Sequence, residues 1–420
     1  NSPLEYIYVK ILRFALKSIC YWPTELFEEN TWKISKYRGL TTLTTNIFTL
    51  ISNGGYLVAK HKASIFIIHV EGLAADYDRL DDLFLLIFQS RSAVLPLNPK
   101  YRKIILRYFN SIHLFHHVHK SEYSKQVINL KQNNTVIISH LMTIFLYVQM
   151  LSGLALFNII PIYLNYSKGK LQQKHLENST YELAVFMYIP RDSTTNRNSY
   201  IWVAVYASYL CANSVCMNDL LLFLMIFHLY GHFKILLNLM ATFPRPAASV
   251  NQLTNMKQEN QMFSEAELKD IFVRIKECID YHNFLLDFTK AMSDAFGPML
   301  LVYFTFQQVS CCLLLLECSA EALIRYGPLT LIIFQALIQI CIIFELIGTV
   351  SGKLKDAIYE LPWESMDLKN RKLVLFFLMN VQTPIHVKAM GLTGVGVQTM
   401  ATIIKTSVSY FTFLRTVPAD

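Results

Sequence analysis

The sequence predicts an all-α polytopic membrane protein with seven transmembrane helices, and three observations lead to that prediction. Only 16% of its 420 residues are charged and 53% are hydrophobic, whereas soluble domains usually carry about 25% charged residues. Uninterrupted apolar stretches reach the roughly 20 residues that a helix needs to cross a bilayer, most clearly at 297–316 and 328–348. Lysine and arginine are concentrated in the polar segments on one side of these stretches.

Seven apolar segments are predicted to span the membrane, and they divide the chain into six regions. The spans lie near 40–59, 80–97, 137–163, 200–230, 295–318, 329–351 and 390–416. The first is the weakest, because it contains many threonine and glycine residues. The regions are an amino-terminal segment at 1–37, spans one to four at 38–230 with an outer loop at 164–199, a helical loop at 231–293, spans five and six at 294–352, an anchor helix at 353–388 and the last span at 389–417.

The distribution of basic residues predicts a cytoplasmic amino terminus and an extracellular carboxyl terminus. Of the 38 lysine and arginine residues, 26 fall in the amino-terminal segment and the connections on its side of the membrane. Positively charged connections stay in the cytoplasm. A G-protein-coupled receptor has the opposite orientation, so the asymmetry disfavours that class. Two glycosylation sequons, at Asn165 and Asn178, fall in the predicted outer loop and agree with this orientation.

The connection at 231–293 is predicted to fold rather than to form a loose linker. The sequence SEAE at 264–267 has the spacing of a capping box, in which Ser264 accepts from the backbone amide of Glu267. Apolar residues then recur at helical spacing toward the fifth span, at Leu268, Ile271, Phe272, Ile275 and Ile279. A second amphipathic segment lies at 366–383. We expect one continuous helix below the fifth span, and a packed cytoplasmic module through which copies of the chain meet.

The last predicted span carries a stripe of hydroxyl side chains. Its members are three or four residues apart, on one face of a helix, and all but one are threonine or serine: Thr399, Thr402, Thr406, Ser409, Phe413 and Thr416. Such a stripe lets a helix line water without bare charges in hydrocarbon, and an apolar constriction at Phe413 closes a pore by dewetting. Helix packing explains the same spacing, since serine and threonine often bond helix carbonyls or neighbouring helices. From spacing alone both interpretations stay open.

One charged residue in this span, Lys405, fits neither interpretation well. A lysine on a cation pathway repels the ions that pass, and this one lies just beside the hydroxyl stripe. Glu345 in the sixth span is a conceivable partner for it.

The sequence indicates no enzyme chemistry, cofactor or metal site. Most of the eight cysteines lie in or beside apolar spans, which argues against a disulfide framework. His113, His116 and His117 share a helical face but have no acidic or cysteine companion for zinc. The net charge of +8 follows from membrane orientation and needs no nucleic acid. A transporter would usually show paired halves with broken helices, and no such repeat is visible.

Three stretches resemble the insect odorant receptors. They are FELIGTVSGKLKDAIYELPW at 344–363, CIDYHNFLLDF at 278–288 and the ending SVSYFTFLRTV at 407–417. The gustatory relatives of that family end in Thr-Tyr, five apolar residues and Gln-Phe. Here Ser409 replaces the threonine, and Thr416 and Val417 replace Gln-Phe. These differences favour the odorant branch and leave a gustatory-type channel as the alternative. The loop at 231–293 is shorter than that of the family's shared co-receptor, so the chain resembles an odour-tuning subunit.

The resemblance implies an odorant-gated, non-selective cation channel. Members of the family form tetramers in the plasma membrane of sensory dendrites, here a heterotetramer with the co-receptor, in contact with lipid and a small volatile ligand. The last span lines the pore and the cytoplasmic helices join the subunits. The resemblance places the pore and gate at Thr402, Thr406, Ser409, Thr412, Phe413, Thr416 and Val417.

The resemblance also implies a ligand pocket in the outer halves of spans two, three, four and six. A volatile molecule has few polar atoms, so the pocket should be apolar with one or two polar groups. The candidates are Phe84, Ile87 and Phe88 in the second span, Leu151, Ser152, Ala155 and Ile159 in the third, Tyr206 and Leu210 in the fourth, and Thr330, Ile333, Phe334 and Leu337 in the sixth. Helix packing is the alternative role for each of these residues.

Overall fold

The computed structural model describes residues 2–18, 22–23, 27, 95, 98–117, 125–167, 169, 197–246, 262–316 and 320–416. The first predicted span and nearly all of the second, together with most of the outer loop, lie outside these residues. The chain divides into two compact units. The first comprises Asn1–Leu106, Ile138–Leu222 and Val302–Phe306, and the second comprises Arg107–Ile137, Phe223–Leu301 and Gln307–Asp420.

The described part is almost entirely helical, as predicted. A 3₁₀ turn at Pro3–Glu5 leads into helix α1 (Ile7–Ser18). Helix α2 (Pro99–Arg107) continues as a π-helical turn at Tyr108–Ile112 and a 3₁₀ turn at Leu114–His117. Four long helices follow: α3 (Lys125–Ser167), α4 (Arg197–Ala241), α5 (Glu265–Leu316) and α6 (Ala320–Gly352). The chain then forms α7 (Leu354–Tyr359), α8 (Leu368–Asn380), β1 (Lys388–Ala389), β2 (Thr393–Gly394) and α9 (Val397–Thr416).

Three of the described helices are long and apolar enough to cross a membrane. The qualifying segments are Lys131–Ala155 in α3, Cys216–Ala241 in α4 and a stretch that begins at Phe334 in α6. Helix α9, the last predicted span, is not among these segments, and hydroxyl side chains and Lys405 take the place of aliphatic residues along it.

In the first unit, helix α1 packs against segments of α3 and α4. Its buried face includes Leu12 and Leu16, and the ring of Tyr8 meets the edge of His140 with centroids 5.0 Å apart. The side-chain amide of Asn213 donates to the Ala15 carbonyl at 3.1 Å. Helix α1 is therefore part of a folded core, which the basic composition of the amino-terminal segment did not indicate.

Helix α5 is the continuous helix predicted from the capping box. The backbone amide of Ser264 donates to Glu267 Oε2 at 2.7 Å, and the amide of Glu267 donates to Ser264 Oγ at 3.4 Å. The helix then runs for 52 residues, about 78 Å at 1.5 Å per residue. This length is more than twice the roughly 30 Å thickness of the hydrocarbon core of a bilayer.

The segment 353–388, expected to be one anchor helix, instead forms two short helices. Pro362 and the 3₁₀ turn at Trp363–Ser365 separate α7 from α8; proline cannot continue a helix, because it lacks an amide hydrogen and its ring clashes with the preceding turn. Helix α8 restarts at Asp367, whose side chain accepts from the Asn370 amide at 3.1 Å.

Helix α8 packs against the first part of α5 in the second unit. The side-chain amide of Asn370 donates to the Leu268 carbonyl at 3.0 Å. The ammonium group of Lys369 lies 4.0 Å from the ring centroid of Phe272. Farther along, the rings of His282 and Phe377 meet edge to face at 5.5 Å. The two amphipathic stripes that the sequence shows in these segments thus contact each other.

A short β-hairpin stands where the last span was expected to begin. Strands β1 and β2 are antiparallel, with Lys388 opposite Gly394. Of the three residues between them, Met390 and Gly391 have φ values of 48° and 74°, the left-handed conformation that a tight hairpin turn requires. The predicted span at 390–416 is therefore shorter as a helix, and it starts at Val397.

Candidate functional site

Helix α9 packs against α6 in the second unit and has one buried and one exposed face. Ile403 and Ser407 are buried, and Ser407 is only 1% exposed. The opposite face carries exposed side chains of Thr402, Ser409 and Phe413, and Phe413 is 63% exposed. Three of the six stripe residues are therefore exposed in a single subunit, while Thr399 and Thr406 are half-buried.

The exposed hydroxyl groups donate within their own helix. Thr402 and Thr406 donate to the carbonyls of Gln398 and Thr402, at 2.9 and 2.7 Å. Ser409 donates to Lys405 O at 2.9 Å, and Thr412 to Ser409 O at 2.8 Å. These bonds are the backbone pattern of the packing interpretation, yet each hydroxyl oxygen keeps lone pairs that can accept from water.

The hydroxyl that contacts another helix is Ser407, which the sequence did not single out. It accepts from Gln308 Nε2 at 3.0 Å and donates to the Ile403 carbonyl at 2.8 Å. Gln308 lies in α5, so this bond joins the fifth and last predicted spans. The adjacent glutamines Gln307 and Gln308, inside the apolar stretch 297–316, were the feature of the sequence that could have indicated a polar contact between helices.

The start of α9 is held by a carboxylate from α6. Glu345 Oε2 accepts from the backbone amide of Val397 at 3.0 Å, and a negative group at this position also favours the positive end of the helix dipole. The carboxylate lies so close to Gly396 that a Cβ there would collide with it. Glu345 therefore caps α9, which the sequence did not reveal, and it does not pair with Lys405.

The connection before α9 is fastened to α5 and α6. The amide of Ile385 donates to Ser351 Oγ at 2.9 Å, and the amide of Lys388 donates to Ser293 Oγ at 3.0 Å. The ring of His386 lies against Gly348, where a Cβ would collide with it. These contacts hold the connection against both helices just before α9 begins.

Two of the predicted gate residues are not fully described. Thr416 is the last residue of α9, and nothing is described of its side chain; Val417 lies outside the described residues.

The predicted ligand residues occupy different environments. Those in α3 and α4 whose side chains are described lie on the exposed surface: Leu151, Ser152, Ala155, Ile159 and Tyr206. In α6, Phe334 is half-buried and Leu337 is fully buried. The side chains of Leu210, Thr330 and Ile333 are not described, and Phe84, Ile87 and Phe88 lie outside the described residues. The ligand site stays a prediction.

The two predicted glycosylation sites differ. Asn165 lies in the last turn of α3 rather than in a loop, and it is only 1% exposed. Asn178 lies outside the described residues.

His113 lies in an extended position between two turns, so the three histidines at 113, 116 and 117 do not share one regular helical face. Its Nδ1 accepts from the Phe115 amide at 3.2 Å, and His228 Nδ1 accepts from the Leu114 amide at 3.2 Å. Burial, with a smaller contribution from His116, lowers the pKa of His113 to about 3. His113 is therefore neutral, and its unprotonated nitrogen holds the turn.

His232 fastens the same turns to α4 and α5. Its Nε2 lies 2.5 Å from the Ile112 carbonyl oxygen and its Nδ1 lies 2.7 Å from the hydroxyl oxygen of Tyr281. His113, His228 and His232 thus hold the turns at 108–117 in place. The sequence did not predict this role for them.

Comparison with known proteins gives consistent results. The family model described as 7tm odorant receptor matches residues 101–408. Odorant receptor 13a of Drosophila melanogaster is 26% identical over 176 residues, which cover 37% of this chain and 42% of that receptor. Odorant receptor Or2 of Anopheles gambiae is 25% identical over 152 residues, 35% of this chain and 40% of that one. The matched region thus spans less than half the length of each of these curated relatives.

The fold is shared with a solved insect receptor. The olfactory receptor OR5 from Machilis hrabei, in complex with eugenol, has a TM-score of 0.72 and 14% sequence identity, with 98% of both chains covered. A second structure of OR5 gives a TM-score of 0.70. Because the family model covers most of the sequence and the fold agrees over nearly the whole of it, the chain belongs to the 7tm odorant receptor family, a family of membrane proteins that are not enzymes.

Proposed function

We propose that this protein is an odorant-gated, non-selective cation channel subunit of the plasma membrane, and that α9 lines its pore. The observation that carries the proposal is the exposed face of α9, on which Thr402, Ser409 and Thr412 stand beside a lysine. Ionisable side chains in membrane helices almost always face a bundle interior or a water-filled cavity. A face of this kind is therefore expected to turn toward an aqueous pathway between subunits rather than toward lipid.

Phe413 is the proposed gate. It lies on the same face as Thr402 and Ser409, is 63% exposed in the single chain and stands near the predicted outer end of the helix. A ring of apolar side chains, formed when several subunits meet, closes a pore by excluding water. Val417, one turn farther along, is proposed to extend the constriction.

The contacts of α6 support a route from ligand to gate. A ligand opens a channel only if it binds the open state better than the closed one. Helix α6 carries the predicted ligand residues Phe334 and Leu337, and the same helix caps α9 through Glu345. We infer that ligand binding displaces α6 and that the hairpin and Glu345 transmit this displacement to α9.

The ligand is proposed to be a small and mostly apolar volatile molecule. OR5 from Machilis hrabei, which shares the fold, is described in complex with eugenol, a molecule of that class. A gustatory-type ligand of the same superfamily is the second candidate, and Ser409 in the final motif favours the odorant interpretation.

The partner is proposed to be the family's co-receptor, in a heterotetramer. Supporting this, α8 exposes Leu368, Phe376 and Met379 although it already packs against α5. Exposed apolar groups of this size commonly mark protein interfaces, and α8 lies in the module that the sequence places in the cytoplasm.

The test is electrical recording from cells that express this chain with a co-receptor. An odorant-evoked cation current without nucleotide or G protein in the pipette is expected. Thr402→Cys should make the open current sensitive to a cationic thiosulfonate reagent, whereas cysteine at the buried Ile403 should stay insensitive. A current that needs a G protein would overturn the channel assignment, and equal insensitivity at both positions would remove α9 from the pore.

A further inference from the structure

Lys405 is the one charged side chain in the middle of α9. It stands eight residues after Val397, about 12 Å along the helix, and eight residues before Phe413. Thr402 and Ser409, three residues before it and four after it, lie on the same side. All three side chains are exposed. Lys405 is thus at the centre of the uncovered hydroxyl face, although the sequence pattern placed it at the edge of the stripe.

The charge of Lys405 is not neutralised within the described chain. Residues 397–416 contain no aspartate or glutamate. The nearest candidate from the sequence, Glu345, uses its carboxylate to bind the Val397 amide at 3.0 Å. Arg274 and Asp270 form an ion pair in α5, but no described acidic side chain pairs with Lys405. The ammonium group therefore needs water around it.

The position of Lys405 along α9 lies on the inner side of the proposed gate. Side chains of a helix lean toward its amino-terminal end, which the sequence places in the cytoplasm. A lysine stem also extends so that its charged end reaches water. The ammonium group is accordingly expected in the vestibule between Phe413 and the start of the helix.

We propose that Lys405 lowers the permeability of the channel to divalent cations relative to monovalent cations. This inference rests on the proposed function, in which α9 lines the pore. A fixed positive charge repels an ion in proportion to the ion's own charge, so calcium is disfavoured more than sodium. For a separation of about 8 Å in water, reduced by physiological salt, the difference amounts to roughly a 1.4-fold change in relative permeability for each Lys405 that the ion passes.

The test compares Lys405→Gln with the original chain, each expressed with the co-receptor. Reversal potentials in calcium and sodium solutions should show a rise of about 1.4-fold in relative calcium permeability for each Lys405 replaced, and the unitary sodium conductance should also rise. Lys405→Arg keeps the charge and should keep both values. Lys388→Gln is the matched control, because Lys388 is an exposed lysine of β1 that lies just before α9.

Lys405→Cys guards against a variant that fails to reach the membrane surface. Treatment of the assembled channel with a cationic thiosulfonate should restore low calcium permeability, whereas a neutral reagent of similar size should not. The proposal would be overturned if the calcium-to-sodium permeability ratio were the same in the original chain, in Lys405→Gln and in Lys405→Cys after either the cationic or the neutral reagent.

Ser409→Cys separates this proposal from the pore assignment. If the cationic reagent reduces current through Ser409→Cys while Lys405→Gln has no effect, α9 lines the pore and only the role of Lys405 is wrong. If Ser409→Cys and Lys405→Cys are both unaffected by the reagent, the pore assignment itself falls.

Discussion

Replacing Glu345 with alanine should weaken the coupling between α6 and the pore helix. The substitution removes the acceptor of the Val397 amide, which lies 3.0 Å from the carboxylate. Loss of a helix cap costs about 1 kcal/mol, and this corresponds to a factor of about five in an equilibrium constant. If α6 moves α9 through this contact, the odorant concentration for half-maximal current should rise about fivefold.

The assay is a dose–response measurement in cells that express the variant with the co-receptor. Glu345→Gln keeps a carbonyl oxygen that can accept from the same amide, so its shift should be smaller. Asp356→Ala in α7 removes an exposed acid away from this contact and should have no effect. Unitary conductance should not change in any of the three, because Glu345 acts on the position of α9 rather than on the ions.

Gly396 offers an independent check of the same contact. A Cβ at Gly396 would collide with the Glu345 carboxylate, so Gly396→Ala should shift the dose–response curve in the original chain. In the Glu345→Ala background the collision is absent and the added shift should be small. An unchanged curve for Glu345→Ala, or fully additive effects of the two substitutions, would refute the reasoning.

Further expectations concern the gate, the ligand helix, the buried histidine and the glycosylation sites. Phe413→Ala should raise the resting leak because it opens the apolar constriction; unchanged leak, conductance and selectivity would exclude it as a gate. Phe334→Ala should alter the odorant dose–response without altering conductance, and an identical curve would argue against the predicted ligand site. Because burial lowers the pKa of His113 from 6.5 to about 3, its contribution to stability is present above pH 6.5 and is lost as the pH falls toward 3; the melting temperature of the purified receptor should fall over that range, and less steeply for His113→Asn. Asn178→Gln should remove a glycan-dependent shift in gel mobility, whereas Asn165→Gln should not, since Asn165 is buried in a helical turn; a shift lost with Asn165→Gln would show that this turn opens.

The local features of this protein could be predicted from its amino-acid sequence. Apolar runs and helical spacing predicted the long helices, and the spacing of Ser264 and Glu267 predicted the cap where α5 begins. The hydroxyl stripe was visible for the same reason, since residues three or four apart on a helix share a face whatever surrounds it. The stretches at 344–363 and 407–417 also indicated the family, because each is a continuous run of residues that can be compared directly with related chains.

The covered side of α9 and the contacts that hold this helix follow from the tertiary structure alone. Glu345 and Val397 are 52 residues apart, and Gln308 and Ser407 are 99 apart; no periodicity relates such pairs. The hairpin at 388–394 and the break at Pro362 likewise divided segments whose composition favoured single helices. In the sequence, Lys405 lies at the edge of the hydroxyl stripe, but in the structure it lies at the centre of the exposed face of α9. The difference arises because exposure depends on neighbouring helices, whereas spacing depends on the helix alone.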